Sequence, residues 1–299
     1  MSAKLKLIAS MLIFGSMGIF IRNIPLPSGV IALIRGGIGA LFLLLVCAFM
    51  KTHVSLNAIK SNLPLLLCSG AALGANWIFL FEAYRHTTIA VATLSYYFAP
   101  VLITAASPLV LKEKLTGLKV ACMAASVLGM ALVSGVMGVK GASGMGVLFG
   151  MLAAASYAGF TLMNKFIKQI ASLDATIAQL GVAALVLLPY TLLNGDLSHI
   201  QLEASGMLFL IVLGVVHTGL GFWLFFSSIQ KLHAQSAAML SYIDPVTAIL
   251  LASVFLNETM GIVQIAGACL ILGAAFLSER VGNMRLKDDK APQTAESMQ

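Results

Sequence analysis

Charge is what this chain has least of. Only 10% of its 299 residues are Asp, Glu, Lys or Arg, and 60% are hydrophobic, whereas a soluble domain is about 25% charged and about 45–50% apolar. That balance excludes a water-soluble fold. No polar linker separates soluble units before the C-terminal tail, so apolar stretches carry the whole architecture. The net charge of +7 does not point to nucleic acid, because phosphate binding needs basic residues clustered on one exposed face, and here they are scattered through short loops. Cysteine is scarce as well. Cys47, Cys68, Cys122 and Cys269 each fall inside an apolar run without CxxC spacing or neighbouring His, which reads as small core residues and implies no metal.

Catalytic and energy-coupling motifs are also missing. There is no G-x-x-x-x-G-K-[ST] loop, which argues against direct use of ATP. Without an H-E-x-x-H helix, a G-x-S-x-G elbow or paired carboxylates inside the apolar runs, a membrane-embedded enzyme has no chemistry to work with, and no cofactor is implied. The start, Lys4 and Lys6 followed by Leu7 to Ile21, has the look of a signal peptide but no A-x-A cleavage site follows. It reads as a permanent span ending in the turn Arg22-Asn23-Ile24-Pro25-Leu26-Pro27.

What is present is a series of apolar runs. A bilayer core takes about 20 residues of helix, and backbone groups in lipid must be satisfied within the segment, so each run reads as a helix. Ten qualify, at about 5–21, 29–50, 63–84, 88–111, 117–137, 143–164, 175–193, 206–229, 235–256 and 261–279. The expected fold is an all-α polytopic membrane protein of ten transmembrane helices. Basic residues set its orientation. With the N-terminus inside, fourteen of the eighteen Lys and Arg lie on the inner side; Arg22, Arg85 and Lys140 lie outside and Arg35 within a span. Both termini should then be cytoplasmic. Losing or adding one span would exchange the sides of every later loop and collapse the contrast.

Sliding the chain against itself by 145 residues sets Pro100 over Pro245, Tyr97 over Tyr242, Leu111 over Leu256 and Glu113 over Glu258, with Phe81 over Phe226 and Gly74 over Gly219. This is a repeat of five helices. Five is odd, so the second copy enters the membrane upside down, the inverted arrangement of many secondary transporters. The halves are 1–140 and 141–280, followed by a polar tail, 281–299, read as disordered and cytoplasmic.

These features resemble the drug/metabolite transporter superfamily, specifically its EamA-type members with two tandem five-helix units, over about residues 5–280. The most specific segments are "YFAPVLITAASPLVLKEKLT" and "YIDPVTAILLASVFLNETM". The resemblance implies a secondary transporter, expected to export amino acids or other small metabolites across a bacterial inner membrane. It also implies a carboxylate before the second proline; here that residue is Asp244, and the first copy has Ala99 in its place. A channel or facilitator is the rival reading, and a membrane enzyme a distant one. The partners implied are a small-molecule substrate and the lipid bilayer, with a homodimer left open.

Several side chains are candidates for the transport site. Asp244 lies near mid-depth beside Pro245, which removes a backbone donor. A carboxylate there costs about 2.5–3.5 kcal/mol on the insertion scale, so it should face a cavity or a partner. It reads as a ligand for a substrate ammonium, a proton site, or half of a structural ion pair. Arg35, within the second span, has three readings: pairing with Asp244, binding a substrate carboxylate through its fork, or reaching to the interface. Asn76, Trp77 and Tyr84 on the third span, His217, Phe222 and Trp223 on the eighth, and Tyr96, Tyr97, Ser241 and Tyr242 beside the prolines are placed to line a central pocket, or to pack. His217 is also a candidate for proton coupling. Pro100 and Pro245 are the expected helix breaks. Glu113 and Glu258 are expected to cap or tether the helix that follows, and Glu82 with Arg85 to pair locally. Gly70 with Gly74 and Gly146 with Gly150 are small-residue packing faces.

Overall fold

The computed structural model describes residues 1–21, 23–52, 54–87, 89–133, 143–194, 203–255 and 261–288. Every regular element among them is helical. In chain order these are α1 (Ala3–Gly15), α2 (Met17–Ile21), α3 (Ser28–Phe49), α4 (Leu56–Ser61), α5 (Leu63–His86), α6 (Ile89–Tyr96), α7 (Ala99–Leu111), α8 (Gly117–Val133), α9 (Gly144–Met163), α10 (Ser172–Asn194), α11 (Ala204–Val212), a π-helical segment (Leu213–Leu220), α12 (Gly221–Ile229), α13 (Ala234–Ser241), α14 (Ile243–Phe255) and α15 (Ile262–Asp288).

Among the described residues, six stretches are long and apolar enough to cross a membrane: Ala3–Ile21, Ser28–Phe49, Leu63–His86, Gly144–Met163, Ser172–Asn194 and Ala204–Ile229. The chain is thus a polytopic helical membrane protein. Of the other runs read as spans, one forms the shorter helix α8, two form the broken pairs α6–α7 and α13–α14, and the last forms α15, whose apolar part is Ile265–Ser278. Breaks occur at the two expected prolines, where α6 gives way to α7 just before Pro100 and α13 to α14 just before Pro245. Proline has no N–H to donate and is tolerated in the first turn, so each helix stops and restarts there. The joints close with tighter backbone bonds, Phe98 N–H to Ser95 O at 3.3 Å and Tyr242 N–H to Met239 O at 3.3 Å.

Two interruptions carry no proline. The first helix breaks at Ser16 between α1 and α2, and the helix from Ala204 to Ile229 widens into its π-helical segment. There α3 comes close: a Cβ on Gly39 would lie 3.0 Å from the Gly219 nitrogen and 3.1 Å from the Gly214 oxygen, so only glycine admits this backbone contact. The widened turn leaves carbonyls without their usual donors, and side chains answer them. Thr218 Oγ1 donates to Leu213 O at 2.9 Å, and His217 Nδ1 lies 3.4 Å from Val212 O.

Packing joins the two halves of the chain throughout. α5 lies on α9 and α10, α10 also on α3, α3 on the π-helical segment, α1 on α12 and α14, α9 on α6 and α7, α7 on α13, and α8 on α15. The main core is aromatic and aliphatic, with Leu7, Met11, Trp77, Phe160, Leu180, Phe222, Phe225 and Phe226 buried together. Gly70 and Gly74 meet α10, and Gly146 and Gly150 meet Thr87 and Ser95, as packing faces should. Large apolar side chains also cover the outside, Leu109, Leu193 and Ile262 among them, which suits lipid rather than water. That outward apolarity corrects the cysteine reading. Cys47 and Cys122 are buried, but Cys68 and Cys269 are exposed, because a hydrophobic run in a bilayer does not distinguish core from lipid face.

The last helix continues to Asp288, into the segment read from sequence as tail, and residues 289–299 lie outside the described residues. Glu258, Arg22 and Lys140 also lie outside them. Glu82 and Arg85 form the expected local pair at 3.0 Å.

Candidate functional site

A cavity of about 490 Å³ lies inside the bundle, within the range of about 300–1,000 Å³ typical of small-molecule pockets. Its lining reaches from mid-helix residues, Leu73, Asn76, Trp77, Phe160, Phe222 and Asp244, to Ile21, Ser28, Tyr84 and Thr93, beside the turns that end α2 and α5. The cavity is therefore displaced toward the end of the bundle that carries those turns.

Arg35 enters from α3 and is buried, 6% exposed. Its guanidinium carbon stands 4.4 Å from the centroid of the Trp77 ring, a cation–π stack, and its Nη1 donates to the Met17 thioether at 3.0 Å. Among the described residues it has no carboxylate partner. The pairing of Arg35 with Asp244 that the sequence left open is thus not made, and neither does the side chain reach to the surface. Two partners of little charge, the Trp77 ring and the Met17 sulfur, hold the fork in place.

Asp244 lines the same cavity from the first turn of α14. Tyr97 lines the cavity beside it. α1 crosses directly over this turn: a Cβ on Gly15 would stand 2.6 Å from the Asp244 carbonyl oxygen and 2.6 Å from Thr247 Cβ. Glycine at the α1–α2 break thus lets the two helices touch beside the carboxylate.

The other predicted residues divide. Asn76, Trp77, Tyr96 and Tyr97 line the cavity, together with Tyr84 and Phe222. Asn76 is buried and fixed through its amide, Nδ2 to Ala153 O at 2.8 Å. Tyr96 and Tyr97 are adjacent rings with centroids 5.3 Å apart. His217, Trp223 and Tyr242 are not among the lining residues. His217 is buried with its Nε2 3.0 Å from Ser16 Oγ, at the α1–α2 break, and its ring edge against Phe20. Trp223 packs at the edge of the main core and Tyr242 is fully buried in a second one. Successive helix residues turn about 100°, so Trp223 faces away while its neighbour Phe222 faces in. Pro100 and Pro245 are both buried beside their breaks.

Sequence reasoning missed the walls contributed by α1, α2 and α9. Phe14, Gly15 and Met17 line the cavity from one side and Tyr157 and Phe160 from the other. Phe14 meets Phe222 with centroids at 4.9 Å, Tyr157 meets Phe160 at 4.8 Å, and Tyr96 lies edge-on to Tyr157 at 5.9 Å. An apolar aromatic enclosure with one cationic and one acidic side chain, unpaired with each other, can hold a small molecule that carries both signs of charge. Among the described residues no cluster of His, Cys, Asp and Glu suits a metal ion.

The EamA-like transporter family matches twice, over residues 1–135 and 144–280. The uncharacterized transporter YxxF of Bacillus subtilis (strain 168) is 31% identical over 281 residues, covering 91% of this chain and 89% of that protein. A probable amino-acid metabolite efflux pump of Salmonella typhimurium (strain LT2) is 27% identical, over 73% of this chain and 77% of that protein. A crystal structure superposes with a TM-score of 0.81 at 18% identity, over 91% of this chain and 95% of its own, a likeness of fold.

Proposed function

Because the chain belongs to the EamA-like transporter family, a family of multi-pass membrane transporters rather than enzymes, we propose that it is a secondary carrier that exports small dipolar metabolites, such as amino acids, across a bacterial inner membrane. The observation that carries this reading is the pair of unlike charges, Arg35 and Asp244, facing one cavity without partnering each other. In a site of low dielectric a charge is worth far more to a ligand than it is in water. A substrate carboxylate is taken by the Arg35 fork and an ammonium by Asp244, with Trp77, Phe14 and the tyrosines around the rest.

The proposed mechanism is alternating access between two inverted five-helix halves in a ten-helix bundle, with both termini cytoplasmic. The packing pattern supports it. Shifting residue numbers by 145 turns the contact of α1 with α12 into that of α9 with α5, and the contact of α3 with the π-helical segment into that of α10 with α5. The pairs α3 with α10 and α8 with α15 map onto themselves, and the contact of α1 with α14 becomes that of α9 with α7. Duplicated halves offer the two near-equivalent arrangements that rocking about a central site requires. With the N-terminus inside, the cavity's mouth lies on the outer side, so this conformation is the outward-facing one.

A panel of radiolabelled amino acids and related metabolites in proteoliposomes, with and without a pH gradient, tests the proposal. Saturable uptake with counterflow is expected; linear, non-saturating flux would replace the carrier with a channel. Coupling to protons is proposed to run through His217. Ser16 Oγ donates to Ile13 O at 2.8 Å and lies 3.0 Å from His217 Nε2, so the charge on the ring decides which group donates at the α1–α2 break. The charged group facing it among the described residues is Arg35 of α3. Transport by His217→Gln is expected to lose most of its dependence on pH between 5.5 and 7.5 (about the range over which imidazole titrates); an unchanged pH profile would sink this assignment.

A further inference from the structure

The end of the bundle opposite the cavity's mouth is closed by a charged clamp on a single turn. That turn joins α12, which ends at Ile229, to α13, which begins at Ala234. Glu113, just past the end of α7, places both carboxylate oxygens on the start of α13: Oε1 accepts from the Ala234 N–H at 2.7 Å and Oε2 from the Gln235 N–H at 3.2 Å. His233 Nδ1 stands 3.6 Å from the same carboxylate. From the other half of the chain, the Lys165 ammonium donates to the carbonyls of Ile229 and Leu232, at the end of α12. An anion thus sits on a helix start and a cation on a helix end, each where the helix dipole favours it. The sequence reading had Glu113 capping the helix that follows it; the structure has it capping a helix of the other half. Beneath the clamp Gln235 Nε2 donates to Ser107 Oγ at 2.7 Å, and Ser107 is fully buried.

We infer that Glu113 and Lys165 are the latch of the gate on the closed side, holding the α12–α13 turn until the carrier turns over. The inference rests on the alternating-access reading above. Glu113 belongs to the first half, and Lys165 and the turn to the second. Movement of one half against the other must therefore break the carboxylate's two bonds, whereas motion within either half need not. Burial brings the Lys165 ammonium down to about 8, with the Glu113 carboxylate pulling it up, so it still carries its proton and donates at neutral pH. Without the latch, the buried polar groups beneath it, Ser107 and Gln235, become the wall of an opening.

The test reads access rather than transport. In a chain whose four cysteines are replaced by alanine, Ser107→Cys is modified with a small membrane-impermeant thiol reagent applied at the face bearing the α12–α13 turn, without substrate. Glu113→Gln and Lys165→Met are each expected to raise the modification rate at least tenfold, and Glu82→Gln, at the opposite end, to leave it unchanged. Equal rates in folded, monodisperse variants would overturn the latch, whatever transport does. Failure of both variants to fold would also overturn it, making the pair a structural staple. A faster rate in a protein that transports nothing keeps the latch and removes the carrier reading instead.

Discussion

Asp244→Asn is expected to lower the initial rate of substrate counterflow about 100-fold while leaving the protein folded. Asparagine is nearly the same size and the α1 contact is made through the backbone carbonyl, so the contacts of this turn with α1 persist. What disappears is the negative charge. Losing a charge-assisted contact in a dry site is worth about 2–5 kcal/mol, and each 1.4 kcal/mol is a factor of about ten, which sets the expected size. Asp244→Glu should recover part of the rate, because the charge returns on a longer stem. The check is counterflow in proteoliposomes beside a thermal-unfolding curve. Near-normal transport by Asp244→Asn with an unchanged unfolding midpoint would remove the carboxylate from the site.

Arg35→Met is expected to be as damaging for substrates that carry a carboxylate and nearly silent for amines that lack one. Methionine fills the volume and still lies against Trp77, so packing is largely kept, but the donors and the charge are gone. Arg35→Lys should be intermediate, with the half-saturation concentration up about tenfold: the charge stays, and the planar fork that matches a carboxylate is lost. Comparing an amino acid with its decarboxylated amine in each variant separates recognition from scaffolding. If both solutes suffer alike, Arg35 holds the bundle together rather than reading the substrate.

The parts of this molecule legible in its sequence are those written in local chemistry. Apolar runs mark the helices, and Pro100 and Pro245 mark two of the breaks. An Asp and an Arg inside apolar runs announce a cavity, and both line one. The break at Ser16 and the π-helical segment have no such mark, because they follow from neighbours distant in the chain: α1 over the turn at Asp244, and Gly39 against Gly214 and Gly219. Phe14, Tyr157 and Phe160 were missed for a related reason. An aromatic residue on a membrane helix has the same local signature in a pocket wall, in a core or against lipid. Glu113 illustrates the same limit from the other side, since its helix-end chemistry was readable and its partner 121 residues away was not.

Leu213–Leu220 winds more widely than the turns on either side of it, at the level where Gly39 of α3 makes contact. A stretch of that kind stores a spare residue. Were it to rewind to ordinary α pitch, the chain beyond Gly221 would swivel about its own axis by roughly the 100° that one residue subtends. Phe222 and Phe225 would leave the pocket and other faces of the same helix would take their place. Rewinding one slack turn would thus change the face that α12 turns to the cavity without moving a helix sideways.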